Sequence, residues 1–280
     1  MCLSNPGKGS GNRTWETRIK VGQMGLSATG TLRASLHYSS YVPVKTLAGG
    51  RTEEGGRAIA SHTGSLALSQ VIWDTAIRQC GAINVSDMEE LIDTLKALYY
   101  LYPVRSNRVA VAGGSGGQSV AIADVFAEAG LRLPPLSQES YDEFATFFSL
   151  IGGSYVNPID TGNPNREQMR RILEILERDP NVDNLVLVVN YRFTSPQQLD
   201  DQLSMMADIR RRGLKSVLAI VPFSTPEEMK QAQELSQRLQ NAGVAAFPSI
   251  KRGALALRKA LDYHGRKATK HSERKSEYPA

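Results

Sequence analysis

Cysteine is nearly absent. Of 280 residues only Cys2 and Cys80 carry a thiol, too few for a disulfide framework and without the paired spacing of a zinc site. Aromatic residues make up 7% of the chain, with two tryptophans, and no aromatic run resembles an RNA-binding strand. No apolar stretch approaches the roughly 18 residues of a membrane-spanning helix, and the first residues lack the apolar core of a secretory signal. No membrane and no metal site are therefore expected. The scarcity of cysteine fits a reducing, cytoplasmic compartment. What is present, 41% hydrophobic and 22% charged residues, is the composition of a soluble globular protein.

The formal net charge is +5. Much of the excess lies at the ends, at Arg13, Arg18 and Lys20 and again at Lys259, Arg266, Lys267, Lys270, Arg274 and Lys275. A basic tail can bind polyanions. No zinc-finger spacing or basic recognition helix accompanies it, so the charge reads as a solvated tail rather than a nucleic-acid site.

Along the chain, 1–40 is rich in Gly, Ser, Thr and Arg, has no sustained period and is expected to be irregular. Order is expected to begin with the short apolar strand at Tyr41–Leu47. A helix at Gln70–Cys80, a strand at Ile83–Val85 and a helix from Met88 to Tyr100, capped by Asp87, then complete a partial first unit, 41–103. A second unit, 104–265, opens on the buried-strand pattern Arg108–Ala112 and continues with helical patterns at Gln118–Ala129, Glu139–Leu150, Arg166–Glu177, Pro196–Arg211, Pro226–Asn241 and Gly253–Tyr263. Between these lie the apolar runs Leu185–Val189, Ser216–Val221 and Ala245–Phe247. Such runs suit strands buried on both faces of a parallel sheet. The alternation predicts an α/β protein of two flavodoxin-like, doubly wound parallel-sheet units, the first incomplete. Residues 266–280 are expected to form a disordered basic tail.

Chemistry concentrates in the run from Gly49 to Ser65, GGRTEEGGRAIASHTGS, which reads as a glycine-rich loop. Small residues on both sides of His62 leave room for a large anionic group at its ring. Thr63, Gly64 and Ser65 are expected to open a helix whose free N–H groups attract anions. A neutral imidazole, with a reference pKa near 6.5, is a competent nucleophile toward phosphorus at neutral pH. The same residues also fit a hydrogen-bonding surface histidine beside ordinary N-cap residues, with Arg51 and Arg57 as solvated charges.

Gly113, Gly114, Ser115, Gly116 and Gly117 follow a strand and precede a helix, the setting of a phosphate-binding turn. The spacing matches neither a P-loop nor a dinucleotide fingerprint, and a ligand-free tight turn also accounts for it. Asn157–Pro158–Ile159–Asp160–Thr161 reads either as a phosphate-handling loop or as an Asn-Pro turn capped by Asp160.

The segment GRTEEGGRAIASHTGSLA resembles the phosphohistidine segment of the NDP-forming acyl-CoA synthetases, the succinyl-CoA synthetase-like superfamily that includes ADP-forming acetate–CoA ligase. The similarity continues through Ala76–Ile83 and Met88–Leu91 and covers roughly Pro43 to His264. Ala121–Ile122–Ala123–Asp124 after the glycine turn and Asn157–Pro158–Ile159–Asp160 also match family elements. The resemblance implies that His62 is transiently phosphorylated. It implies that Gly64, Ser65 and Gly113–Gly117 hold phosphoryl oxygens, and that Arg51, Arg57, Asn157 and Asp160 support them. The implied reaction joins acid, CoA and ATP to give acyl-CoA, ADP and phosphate. CoA, ATP or ADP, Mg2+ and phosphate serve the complete enzyme, and none is expected to be bound tightly by this chain.

The sequence departs from the family in three respects. No CoA-binding Rossmann domain is visible before Tyr41, no ATP-grasp module follows Tyr263, and no counterpart appears for the family's glutamate upstream of the histidine loop. The expectation is a chain that works in an oligomer with CoA-binding and ATP-grasp domains or subunits. The alternative is a truncated, non-catalytic module of regulatory or structural use.

Overall fold

A computed structural model of the chain describes residues 45–47, 52–63, 70–80, 82–101, 104–114, 116–148, 156–162, 164–192 and 194–277. The irregular segment expected over 1–40 lies outside them. Residues 45–280 form one compact unit.

The glycine-rich run departs most from its expected loop. After β1 (Lys45–Leu47) it forms helix α1 (Glu53–Thr63). The Thr52 hydroxyl accepts the Gly55 N–H at 3.1 Å, Glu53 and Glu54 occupy the positive end, and Arg57 pairs with Glu53 one turn later at 2.8 Å. A cap, two favourable dipole charges and an i,i+4 pair together outweigh the roughly 1 kcal/mol helix cost of each glycine. Thr63 therefore ends a helix rather than opening one, and Gly64 and Ser65 lie outside the described residues.

Helix α2 (Gln70–Cys80), β2 (Ile83–Val85) and α3 (Met88–Tyr100) keep their expected bounds. Asp87 caps α3, its carboxylate accepting the Glu90 N–H at 2.7 Å. Strands β1 and β2 pair in parallel.

The larger sheet contains β3 (Val109–Ala112), β4 (Asn184–Val188), β5 (Ser216–Ile220) and β6 (Ala245–Phe247), all parallel and in the order β3-β4-β5-β6. All of their residues are buried, as expected for strands covered on both faces. One face meets α5 (Gln138–Ala145), α6 (Arg166–Arg178), α7 (Pro196–Arg212) and α8 (Pro226–Asn241), around a core that includes Phe144, Ile172, Leu203 and Leu235. The other meets α4 (Gly116–Glu128) and α9 (Ile250–Glu277), around Ile122, Phe126, Phe247 and Leu257. Ala97 and Leu101 of the α3 region join this second core, so α3 packs against α9 across the expected domain boundary. Helix α9 continues through 266–277, the stretch expected to be a disordered tail.

Outside β3 the sheet is extended without a full strand. Arg132 bridges Arg108, and Ile159 bridges Ala112. Counting this border as a strand gives the 2-1-3-4-5 order of flavodoxin-like sheets, whose switch point lies between β3 and β4.

Candidate functional site

In an open parallel sheet, ligands enter where the strand order reverses, at the carboxyl ends of the strands. Here that point is a small crevice of about 50 Å³ bordered by Gly113 and Gly114 after β3, Val188 and Asn190 at the end of β4, Thr161 and Gly162 after the bridging segment, and Thr194, Gln198 and Gln202 at the start of α7. The sequence reading singled out the two glycines. It missed Asn190, Thr194, Gln198 and Gln202. The signal available for them was positional: an apolar strand run, a short polar turn and a capping Ser195–Pro196 step. Ser195 and Gln198 form a reciprocal capping box that fixes the first turn of α7 beside the crevice.

The glycine turn has two parts. Gly113 and Gly114 both adopt positive φ, 92° and 89°, which favours glycine. A β-carbon on Gly113 would lie 2.3 Å from the Val188 carbonyl oxygen. The Gly113 N–H is already committed, donating to the Ile159 carbonyl at 3.1 Å. Gly113 therefore shapes the turn. Ser115 lies outside the described residues. Gly116 and Gly117 are the first two residues of α4, where N–H groups have no acceptor within the helix. The helix thus begins inside the glycine run, two residues earlier than its apolar pattern indicated.

Asn157 proves to be architectural. It is buried, its Oδ1 accepts the Val111 N–H at 3.1 Å, and its Nδ2 donates to the Val109 and Pro134 carbonyls at 2.8 and 3.0 Å. One side-chain amide thereby fills the place of a paired strand residue along β3. The Asn157–Pro158 peptide is cis. Asp160 is also buried and accepts the Gly162 N–H at 3.0 Å, which holds the turn that presents Thr161 and Gly162 to the crevice. Of the two sequence readings, the Asn-Pro turn describes both side chains.

His62 lies in the last turn of α1. None of the described residues lining the crevice comes from α1. Arg57 is exposed and pairs with Glu53 and Glu54 at 2.8 and 3.5 Å, so its charge is shared with neighbouring acids on its own helix. Arg51 lies outside the described residues. Among the described residues no three His, Cys, Asp or Glu side chains converge to hold a metal ion, and no helix is long and apolar enough to cross a membrane.

Residues 28–98 match the model of the succinyl-CoA ligase-like flavodoxin domain. The match begins inside the segment expected to be irregular and contains all of α1. The α subunit of ADP-forming acetate–CoA ligase II of Pyrococcus furiosus is 35% identical over 52% of this chain and 32% of its own length. The α subunit of the organism's ADP-forming acetate–CoA ligase I is 28% identical over 83% of this chain and 49% of its own length. A solved structure of Ca. Korarchaeum cryptofilum dinucleotide-forming acetyl-coenzyme A synthetase 1, in complex with phosphate and ADP, superposes with a TM-score of 0.69 at 26% identity, over 83% of this chain and 49% of that one. The chain spans at most about half the length of these relatives. Over the shared segment and the superposed parallel α/β architecture, this chain is similar to the ADP-forming acetate–CoA ligases and to the acetyl-coenzyme A synthetase structure.

Proposed function

We propose that this chain is the phosphohistidine-bearing portion of an NDP-forming acyl-CoA synthetase, with His62 as the phosphoryl carrier. The observation that supports this most is the sequence Ser61–His62–Thr63–Gly64–Ser65, whose first three residues close α1, inside the segment that matches the succinyl-CoA ligase-like domain. A ring nitrogen of neutral His62 attacks the phosphorus of an acyl phosphate, and the carboxylate leaves with the bridging oxygen. A terminal oxygen of a nucleoside diphosphate then attacks the phosphohistidine, and the ring nitrogen leaves. The reverse sequence uses ATP to activate the acid, and CoA takes the acyl group from the acyl phosphate.

Each helix N-terminus contributes only about 0.3–2 kcal/mol to an anion, so several aimed donors are needed. Gly116 and Gly117 at the start of α4 are proposed as one set, and the residues Gly64 and Ser65 that follow His62 in the sequence as further donors. Gly113 and Gly114 shape the turn. Arg51 and Arg57 are proposed as supporting charges, the latter already shared with two glutamates. In this proposal Mg2+ arrives with the nucleotide on an ATP-grasp partner. A CoA-binding domain or subunit completes the enzyme, and the assembly is a cytoplasmic oligomer.

The test is phosphorylation. The chain is incubated with terminally labelled ATP, Mg2+ and a complementary ATP-grasp partner. An acid-labile, base-stable label that disappears in His62→Ala is the expected result. A folded chain that takes up no label from an active partner would overturn the carrier role.

A further inference from the structure

The small β1–β2 sheet is joined to the rest of the unit differently from every other strand. Two apolar clusters hold the four-stranded sheet between its helices, and their buried members run from Ala97 to Ala260. Ile77, Ala82, Ile83 and Val85 are equally buried but belong to neither cluster. Among the described residues their apolar packing thus lies outside both clusters, against α2 and α3.

Charged side chains tie α9 to β2 and α3. Lys259 of α9 donates to the Asn84 carbonyl of β2 at 2.8 Å and pairs with Glu90 of α3 at 3.0 Å. Glu90 in turn accepts the Ser86 N–H at the turn between β2 and α3. Two turns earlier on α9, Arg252 grips Asp93 of α3 with two hydrogen bonds, one of 3.1 Å, and reaches Glu89 at 3.5 Å. Lys96 of α3 donates to the Ala246 carbonyl of β6 at 3.1 Å. Burial pushes the Glu90 carboxyl up, but the Ser86 N–H and Lys259 outweigh it and hold the group below its ordinary value. That balance is expected of an acid held ionised by its partners.

We propose that Lys259 is a latch, and that β1, β2 and α2 form a separately opening unit which this one ammonium holds against α9. Among the described residues no apolar cluster runs from β1 and β2 into the larger sheet, so opening the small sheet gives up its own packing and its contacts with α3, whereas opening β4 or β5 exposes both main clusters. Units of that kind open below the free energy of global unfolding. A charge-assisted hydrogen bond to a strand carbonyl, combined with a half-buried ion pair, is a large share of so small an attachment. If the phosphohistidine reading holds, the latch also sets how freely β1, β2 and α2 move within the segment matched to that family. The latch itself does not depend on that reading.

Amide hydrogen exchange of the full chain tests this. In Lys259→Met, which keeps the apolar stem, amides of Ile83–Val85 are expected to lose protection about tenfold or more while those of Leu185–Leu187 and Val217–Ala219 keep theirs. Glu90→Gln, which leaves the lysine in place, should give the same pattern at smaller amplitude. Equal loss of protection in both sheets would make Lys259 an ordinary contributor to global stability and overturn the latch, as would unchanged exchange at Ile83–Val85. Because His62 takes no part in the readout, failure here leaves the phosphoryl relay untouched, and failure of the labelling experiment leaves the latch untouched.

Discussion

At Gly113 the main chain passes so close to β4 that a methyl group would lie 2.3 Å from the Val188 carbonyl oxygen, at a φ of +92°. Gly117, four residues on, has nothing within 4 Å of the same imagined carbon and sits in helical conformation. The two glycines should therefore respond oppositely to alanine. Gly113→Ala is expected to cost about 2–4 kcal/mol, from the unfavourable backbone region together with displacement of a buried strand end. Gly117→Ala should stay within about 1 kcal/mol of wild type, on the stable side. Denaturant unfolding of both variants checks this, and comparable losses would refute it. Five small residues after an apolar strand marked the turn from sequence alone. What the run could not reveal is which glycine is obligatory, because the atom that forbids a side chain belongs to a residue 75 positions away. Asn157 shows the same limit. Its identity announced a turn before proline, but its three hydrogen bonds go to Val109, Val111 and Pro134, partners that only the folded chain assembles.

Among the elements, legibility followed local chemistry. Helix α8 and strand β6 have the bounds their patterns predict, because Thr225 and Pro226 start the helix and three apolar residues between turns make the strand. Helix α1 was missed because glycine content outweighed the Thr52 cap and the Glu53–Arg57 pair in the reading, whereas in the molecule they prevail. Lys215, at the entrance to β5, illustrates an element-level effect with no sequence signature. Its amine donates to the Leu176 carbonyl at 2.9 Å and to that of Asp179, at the carboxyl end of α6. Burial pushes it down to about 8, against the pull of Asp179, Asp183 and Glu177. Below pH 8 the amine is protonated whether folded or unfolded, and the folded chain bears the full penalty of the buried charge. Between about pH 8 and 10.5 the unfolded chain holds the proton longer, so this group makes stability rise with pH. The gain is on the order of 1–2 kcal/mol once solvent screening is allowed for. Unfolding free energies measured across that range should climb more steeply in the wild type than in Lys215→Met. Equal slopes would show that the amine titrates normally.

For the molecule as a whole, the alternation of apolar runs and amphipathic helices disclosed the fold class, but not the seam. Nothing in the spacing of α3 says that its Ala97 and Leu101 belong to the core of the larger sheet, since a helix pattern records that a face is covered, not by what. The chain covers at most about half of the relatives compared with it, and the described crevice is lined by neutral side chains and backbone. Purified alone and supplied with a carboxylic acid, CoA, ATP and Mg2+, it is expected to form no acyl-CoA above a His62→Ala control; thioester appearing at a catalytic rate would overturn that expectation. The borders of the four-stranded sheet carry a consequence of their own. Along β3 the Asn157 amide and the bridging residues Arg132 and Ile159 take up main-chain groups, and along β6 the Lys96 ammonium takes the Ala246 carbonyl. A foreign strand would have to evict a native partner at either margin before it could add to the ladder. Strand addition to this sheet therefore competes with contacts the chain already makes within itself.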